Sequence, residues 1–74
     1  MKVSEFNTII EKAKVRKDGV YTYRDYVYGV KNNRFVAYAD PFGEVFSIQY
    51  GWSVTIGRCQ RWDRKNQIKQ FIKS

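Results

Sequence analysis

The chain has 74 residues, and its 14 lysines and arginines against seven aspartates and glutamates give a net charge of +7. This length suits a single domain over residues 1–74 with a small core, and no apolar run approaches the roughly 20 residues that cross a bilayer. The chain holds no histidine and one cysteine, Cys59, which excludes histidine catalysis, an internal disulfide and a multi-cysteine metal site.

An amphipathic helix is the first predicted element. Its apolar residues recur at the spacing of one helical face: Phe6, Ile9, Ile10 and Ala13. We expect Ser4 to be the N-cap, because its hydroxyl can accept a backbone N–H of the first turn. The cations of residues 12–17 suit the end of the helix dipole, and Asp18-Gly19 is expected to stop the helix.

Residues 20–56 alternate between apolar and polar or small side chains, which is the pattern of half-buried strands. Two turns interrupt the alternation. At residues 31–33 asparagine tolerates a positive φ, and at residues 40–43 Asp-Pro-Phe-Gly fits a type I turn. Gly51 is expected to form a bulge or bend, and Trp52 to lie in the core at the start of the last strand.

Residues 63–73 predict a second helix with Asp63 as its N-cap. Ile68, Phe71 and Ile72 lie on one side of this helix, so it can dock on the sheet. The predicted fold class is α+β, a small antiparallel meander of three to four strands with an N-terminal and a C-terminal helix. We expect a helix to cover one face of the sheet. The other face is rich in aromatic side chains, and we expect part of it to stay exposed.

The positive charge is concentrated toward the end of the chain. Residues 58–74 hold six cations against Asp63 alone: Arg58, Arg61, Arg64, Lys65, Lys69 and Lys73. Residues 19–57 are neutral overall and rich in aromatic side chains. Because the second helix can dock, its cations should be held at defined positions where they can neutralise phosphates. We therefore predict a non-enzymatic protein that binds DNA or RNA. The alternative is that the basic surface serves only solubility.

The tyrosines offer a second kind of contact with nucleic acid. Tyr21 and Tyr23, beside Arg24 at the start of the sheet, are expected to be the most exposed, and their rings could stack on unpaired bases. Tyrosine also packs well against cross-strand neighbours, so a structural role is the alternative for each of them.

A second hypothesis is a protein-binding regulator or inhibitor that docks on an acidic partner. Trp62, Tyr28 or a free sheet edge would supply the contacts, while charge steers the encounter. Trp62 stands just outside the predicted helix, where it either plugs the core or anchors a partner. A homodimer through edge strands or aromatic faces is compatible with both hypotheses.

Catalysis has little support in the residues. Cys59 has no histidine to activate it and is expected to be a buried structural thiol, although nearby arginines could lower its pKa. A histidine-free ribonuclease built on Tyr50, Arg58 and Arg61 is the remaining enzymatic alternative. We expect no catalytic site, metal or cofactor. A cytoplasmic location is expected because the first residues lack the apolar run of a signal peptide. The short, Lys- and Asn-rich chain would also fit an accessory protein of a phage or mobile element.

Overall fold

Five strands of the described part of the chain form one antiparallel sheet in sequence order, with a helix before and after it. The computed structural model describes residues 1–48 and 54–73. Its elements are α1 (Val3–Ala13), β1 (Gly19–Tyr23), β2 (Tyr26–Lys31), β3 (Arg34–Ala39), β4 (Glu44–Ser47), β5 (Val54–Arg58) and α2 (Arg61–Lys73). The predicted α+β meander between two helices is confirmed. The sheet has five strands, where three to four were expected.

The additional strand comes from a turn at Arg24-Asp25 that the residue pattern did not indicate. Tyr23 pairs with Tyr26, so only two residues connect β1 to β2. Arg24 adopts a φ of 52°, a left-handed conformation that is uncommon for residues other than glycine, asparagine and aspartate. With no glycine or proline at this point, the tyrosine alternation on either side carried no clear sign of a chain reversal.

The two predicted turns are confirmed, and their contacts explain them. Asn32 and Asn33 have φ values of 55° and 59°, the pair of positive angles that a type I′ hairpin requires. In the second turn the N–H of Gly43 donates to the carbonyl of Asp40 at 3.0 Å. Gly43 has a φ of 84°, and a Cβ at this position would clash with the carbonyl oxygen of Cys59. Only glycine fits there.

The first helix differs from the prediction at both ends. Its N-cap is Lys2, which makes no capping hydrogen bond with its side chain, so Ser4 lies within the first turn. The helix ends at Ala13, before Asp18 is reached. The Asp18 carboxylate instead accepts the backbone N–H of Asn32 at 2.7 Å. Asp18 therefore ties the segment after α1 to the turn between β2 and β3.

The second helix starts two residues earlier than predicted. Because α2 begins at Arg61, Trp62 and Asp63 lie in its first turn, and Asp63 is not the N-cap. Ile68 is fully buried and carries the helix onto the sheet. A Cβ at Gly29 of β2 would lie 2.8 Å from the Ile68 side chain. The absence of a side chain at Gly29 is thus what lets α2 lie directly on β2.

The two helices cover opposite faces of the sheet. Side chains of β2 alternate between them, because successive residues of a strand point to opposite sides. The cluster under α1 contains Ile9, Ala13, Tyr26, Tyr28 and Val30. The cluster under α2 contains Val27, Ala39, Val45 and Ile68. Part of the aromatic-rich face was expected to stay exposed. That part does not include β2, which is buried on both faces because α1 packs over its tyrosines.

Three predicted features lie outside the described residues. They are the bend at Gly51, the core position of Trp52 and the role of Tyr50 in a ribonuclease site. Within the described ranges, no helix is long and apolar enough to cross a membrane.

Candidate nucleic-acid interface

The α2 helix has one side in the core and a flank in solvent. Its buried side is formed by Ile68, with Phe71 and Ile72 half-buried beside it. The exposed flank carries side chains at the spacing of successive turns, and they line one surface hollow: Arg61, Trp62, Lys65, Asn66 and Lys69. The docking predicted from the apolar side therefore holds these cations in one arrangement.

Trp62 lies in this hollow with 67% of its surface exposed. The sequence left two alternatives open for Trp62, a core plug or an exposed anchor. In the structure its side chain is exposed. The exposed Trp62 ring is a large apolar surface in contact with solvent. The cationic side chains of Lys65 and Arg61 line the same hollow. An aromatic ring among cations suits a ligand that is both flat and anionic.

Lys65 and Lys69 also line a second hollow, which has a volume of about 480 Å³. Its other wall is β1, the strand at one edge of the sheet, together with the segment that follows the end of α1. Arg16, Val20, Tyr21 and Thr22 complete this lining. The hollow thus joins residues from both ends of the chain.

A third hollow, of about 220 Å³, places Lys69 and Lys73 beside Asp18. Lys69 lines all three hollows, and Lys65 lines two of them, so these side chains are common to neighbouring hollows. We name as the basic groove the five residues Arg16, Thr22, Trp62, Lys65 and Lys69. Its cations come from two separate segments, so the positive charge is not confined to one helix.

Arg16 is the cation of the basic groove that the sequence did not single out as a ligand-binding residue. Its guanidinium lies 4.9 Å from the centroid of the Tyr21 ring. The Tyr21 hydroxyl donates to the carbonyl of Lys17 at 2.6 Å, which fixes the segment that presents Arg16. The charge run at residues 14–17 was the only local signal, and it suits a helix end equally well.

The cations of the basic groove are not neutralised by acids. The ion pairs among residues 1–48 and 54–73 are Lys14 with Glu11 at 2.9 Å and Arg61 with Asp25 at 3.7 Å. Within those ranges, no carboxylate lies within 4.0 Å of the charged groups of Arg16, Lys65 and Lys69. Their charge remains available to an anionic ligand.

Arg64, predicted to contact nucleic acid, is instead committed to the fold. Its Nη1 donates to the carbonyl of Asp40 at 2.8 Å and to the carbonyl of Asp25 at 3.2 Å. These carbonyls belong to the β1–β2 turn and to the β3–β4 turn. Arg64 therefore joins two turns to the first turns of α2 through Nη1, while its buried Nε has no hydrogen-bond partner among the described residues.

The other predicted cations are not among the residues of the basic groove, although two of them line a hollow next to it. Lys73 is exposed and lines the third hollow. Arg61 is exposed beside Trp62, but it is paired with Asp25. Arg58 is exposed at the end of β5, opposite Glu44 of β4. Arg58 lines none of the three hollows.

The rings of Tyr21 and Tyr23 are half-buried and already have partners. Tyr21 stacks on Tyr28 with 5.7 Å between ring centroids. The Tyr23 ring has Lys12 at 4.7 Å and Arg24 at 5.5 Å. The predicted exposure of these two tyrosines is therefore only partial, and their geometry gives little support to stacking on bases. Arg24, predicted to contact nucleic acid, is exposed and has its guanidinium over the Tyr23 ring.

The prediction that Tyr28 contacts a partner is wrong. Its side chain is fully buried and lies at the centre of the α1 side of the core. A partner cannot reach it while α1 is in place. The error arose because the alternation of β2 assigned Tyr28 to a face without showing that a helix covers that face.

Cys59 is half-buried, and burial raises the pKa of its thiol; the positive charge of Arg64 lowers that pKa by a smaller amount. The thiol donates to the carbonyl of Gly43 at 3.3 Å. The expected structural role is thus supported by the geometry, while the lowered pKa considered from the nearby arginines is wrong because burial has the larger effect. A neutral thiol is a poor nucleophile.

Comparison with known proteins identifies no matching family model, no matching curated protein and no matching solved structure.

Proposed function

We propose that this protein is a small non-enzymatic nucleic-acid-binding protein whose basic groove contacts phosphates. The observation that supports the proposal is the convergence of Arg16, Lys65 and Lys69, none of them paired with a carboxylate of the described residues, around one continuous surface. Phosphate contacts of this kind supply most of the affinity of non-specific nucleic-acid binding.

The fold also holds in place the backbone segments that carry the cations of the basic groove. Lys65 and Lys69 extend from a helix that Ile68 anchors in the core. Arg16 is held beside Tyr21, whose own hydroxyl is hydrogen-bonded. Cations on a folded scaffold lose less backbone freedom on binding than cations on a loose tail, because the backbone that carries them is already ordered. A cytoplasmic location, where nucleic acid is within reach, belongs to this proposal.

The proposal is tested by the salt dependence of binding to DNA and RNA oligonucleotides. Each phosphate that is neutralised releases counterions, so the affinity should fall steeply as the salt concentration rises. The variant Arg16→Gln/Lys65→Gln/Lys69→Gln should bind more weakly, and the slope of log affinity against log salt should be reduced by about 0.7–0.9 for each phosphate that the variant no longer neutralises. A wild-type affinity that hardly changes with salt contradicts the proposal.

A matched control separates the groove from net charge. Lys2→Gln/Lys14→Gln/Arg34→Gln removes the same number of charges from exposed residues that line none of the three hollows. This control should retain most of the affinity and the slope. Equal losses in both triple variants would assign binding to overall charge and not to the basic groove.

A second candidate function is the binding of an acidic protein, and the exposure of Trp62 favours it. Tryptophan at 67% exposure is a common type of anchor in protein interfaces. Capture from a cell lysate before and after nuclease treatment distinguishes the two. Retained nucleic acid supports the first function, whereas one stoichiometric protein that is unaffected by nuclease and lost with Trp62→Ala supports the second.

A further inference from the structure

We infer that the ligand of the basic groove is a single-stranded nucleic acid, one of whose unpaired bases stacks on Trp62. The inference rests on the proposed function and specifies the substrate class. It follows from the position of the exposed Trp62 ring, which lines a hollow together with Lys65 and Lys69 of the basic groove.

The exposed ring of Trp62 distinguishes a single strand from a duplex. In a duplex each base face is covered by its neighbours, so an aromatic side chain reaches a base face only by intercalation or at an end. In a single strand the bases can be splayed out, and each offers a face for stacking. A duplex that lies on Lys65 and Lys69 would leave the Trp62 ring without a matching surface.

Among the aromatic side chains of residues 1–48 and 54–73, Trp62 is the best placed for this contact. Tyr21 stacks on Tyr28, and Tyr23 has Lys12 and Arg24 over its ring. Phe42 is 75% exposed, but it lines none of the three hollows. Stacking is therefore assigned to α2 rather than to the sheet.

The cations continue from Trp62 along a path that suits a phosphate backbone. Lys65 follows Trp62 by about 4.5 Å along the helix axis, and Lys69 follows Lys65 by about 6 Å. From Lys69 the path crosses the edge of β1 to Arg16 and to the hydroxyl-bearing Thr22. Asn66, beside Trp62, offers an amide that can donate to or accept from a base edge. A nucleotide stacked on Trp62 would have its phosphate within reach of Lys65.

The test compares an oligothymidylate of about ten nucleotides, a length within the site sizes of small single-strand-binding domains, with a blunt duplex of the same length. We expect the single strand to bind at least about tenfold more tightly and to quench tryptophan fluorescence. Trp62→Leu should weaken single-strand binding by about tenfold or more, because stacking is lost while apolar bulk is kept.

Three controls accompany this measurement. Trp62→Phe keeps an aromatic face, so it should retain more affinity than Trp62→Leu while losing the fluorescence change. Phe42→Leu removes an equally exposed aromatic ring outside the basic groove and should have no effect on binding. Thermal denaturation of each variant should show unchanged stability, since Trp62 and Phe42 are exposed.

The outcomes separate the inference from the function on which it rests. Salt-dependent binding in which the duplex binds as tightly as the single strand, or in which Trp62→Leu has no effect, overturns the inference and leaves the proposed function in place. If neither oligonucleotide binds, both are overturned, and an acidic protein becomes the partner to seek.

Discussion

Ile68 lies directly over Gly29: a Cβ atom at Gly29 would be 2.8 Å from Cγ2 of Ile68. Both residues are buried, and their contact seats α2 on the middle of β2. The flank of α2 that carries Lys65 and Lys69 is oriented by this contact. A residue with no side chain and no charge thus determines where the basic groove lies.

Gly29→Ala should therefore destabilise the protein. The new methyl group would meet Ile68 and Ile72 at 2.8 Å, so α2 must shift or its side chains must leave their preferred rotamers. We expect the free energy of unfolding in urea to fall by about 1–3 kcal/mol. In an Ile72→Val background, which removes the methyl group at Cδ1, the same substitution should cost less. An equal cost in both backgrounds would contradict the close contact.

Replacing Arg64 should affect stability more than binding. Arg64→Met removes hydrogen bonds to the carbonyls of Asp25 and Asp40, and we expect a loss of about 1–3 kcal/mol in the free energy of unfolding. Arg58→Met is the matched control, because Arg58 is exposed and has no side-chain hydrogen bond or ion pair within residues 1–48 and 54–73. It should be nearly neutral by thermal denaturation. A larger loss of stability for Arg58→Met would contradict the assigned role of Arg64.

The stability of the fold should decrease at alkaline pH through Tyr26. The hydrogen bond that its hydroxyl donates to Glu5 at 2.5 Å, followed by burial, raises the pKa of Tyr26 from 10.0 to about 12. Because the folded-state pKa is above the unfolded value, this stabilisation is fully present below pH 10. It is lost as the pH rises from about 10 to about 12. Burial also raises the pKa of Tyr38, which acts in the same direction.

Substitutions of two glutamates of α1 test what raises the pKa of Tyr26. Glu5→Gln removes the nearby negative charge and should lower the pKa of Tyr26, as seen in the ultraviolet absorbance of tyrosinate during an alkaline titration. Glu11→Gln changes an exposed residue that is paired only with Lys14 among the described residues, and it should leave the titration as in the wild type. Identical shifts in both variants would show that net charge, not the hydrogen bond, controls Tyr26.

Tyr28→Phe should be neutral or stabilising, by up to about 1 kcal/mol. The Tyr28 hydroxyl is buried and has no hydrogen-bond partner among the described residues, so its removal relieves a desolvation penalty. Tyr21→Phe is the contrasting variant, since it loses the hydrogen bond to Lys17 and should cost about 1 kcal/mol. Urea unfolding of both variants checks the pair. A strong destabilisation by Tyr28→Phe would mean that the hydroxyl has a partner.

The parts of the fold that the sequence predicted are those that depend on neighbouring residues. Residues 40–43 form a turn because aspartate, proline and glycine each suit one position of it. Asn32 and Asn33 form another because asparagine accepts a positive φ. The turn at Arg24-Asp25 was missed because arginine has no such preference, and aspartate without glycine or proline beside it is a weak turn signal.

The sequence by itself determined a meander sheet between two helices, the docking side of α2 and the accumulation of cations near the end of the chain, but not the full number of strands. Only the tertiary structure decided which cations are free. It brought Arg16 to Lys65 and Lys69, engaged Arg64 with two turns, and buried Tyr28 while leaving Trp62 in solvent. The physical reason is that local backbone preferences and side-chain periodicity act over a few residues. A side chain's partners, by contrast, depend on packing between segments that are far apart in the chain.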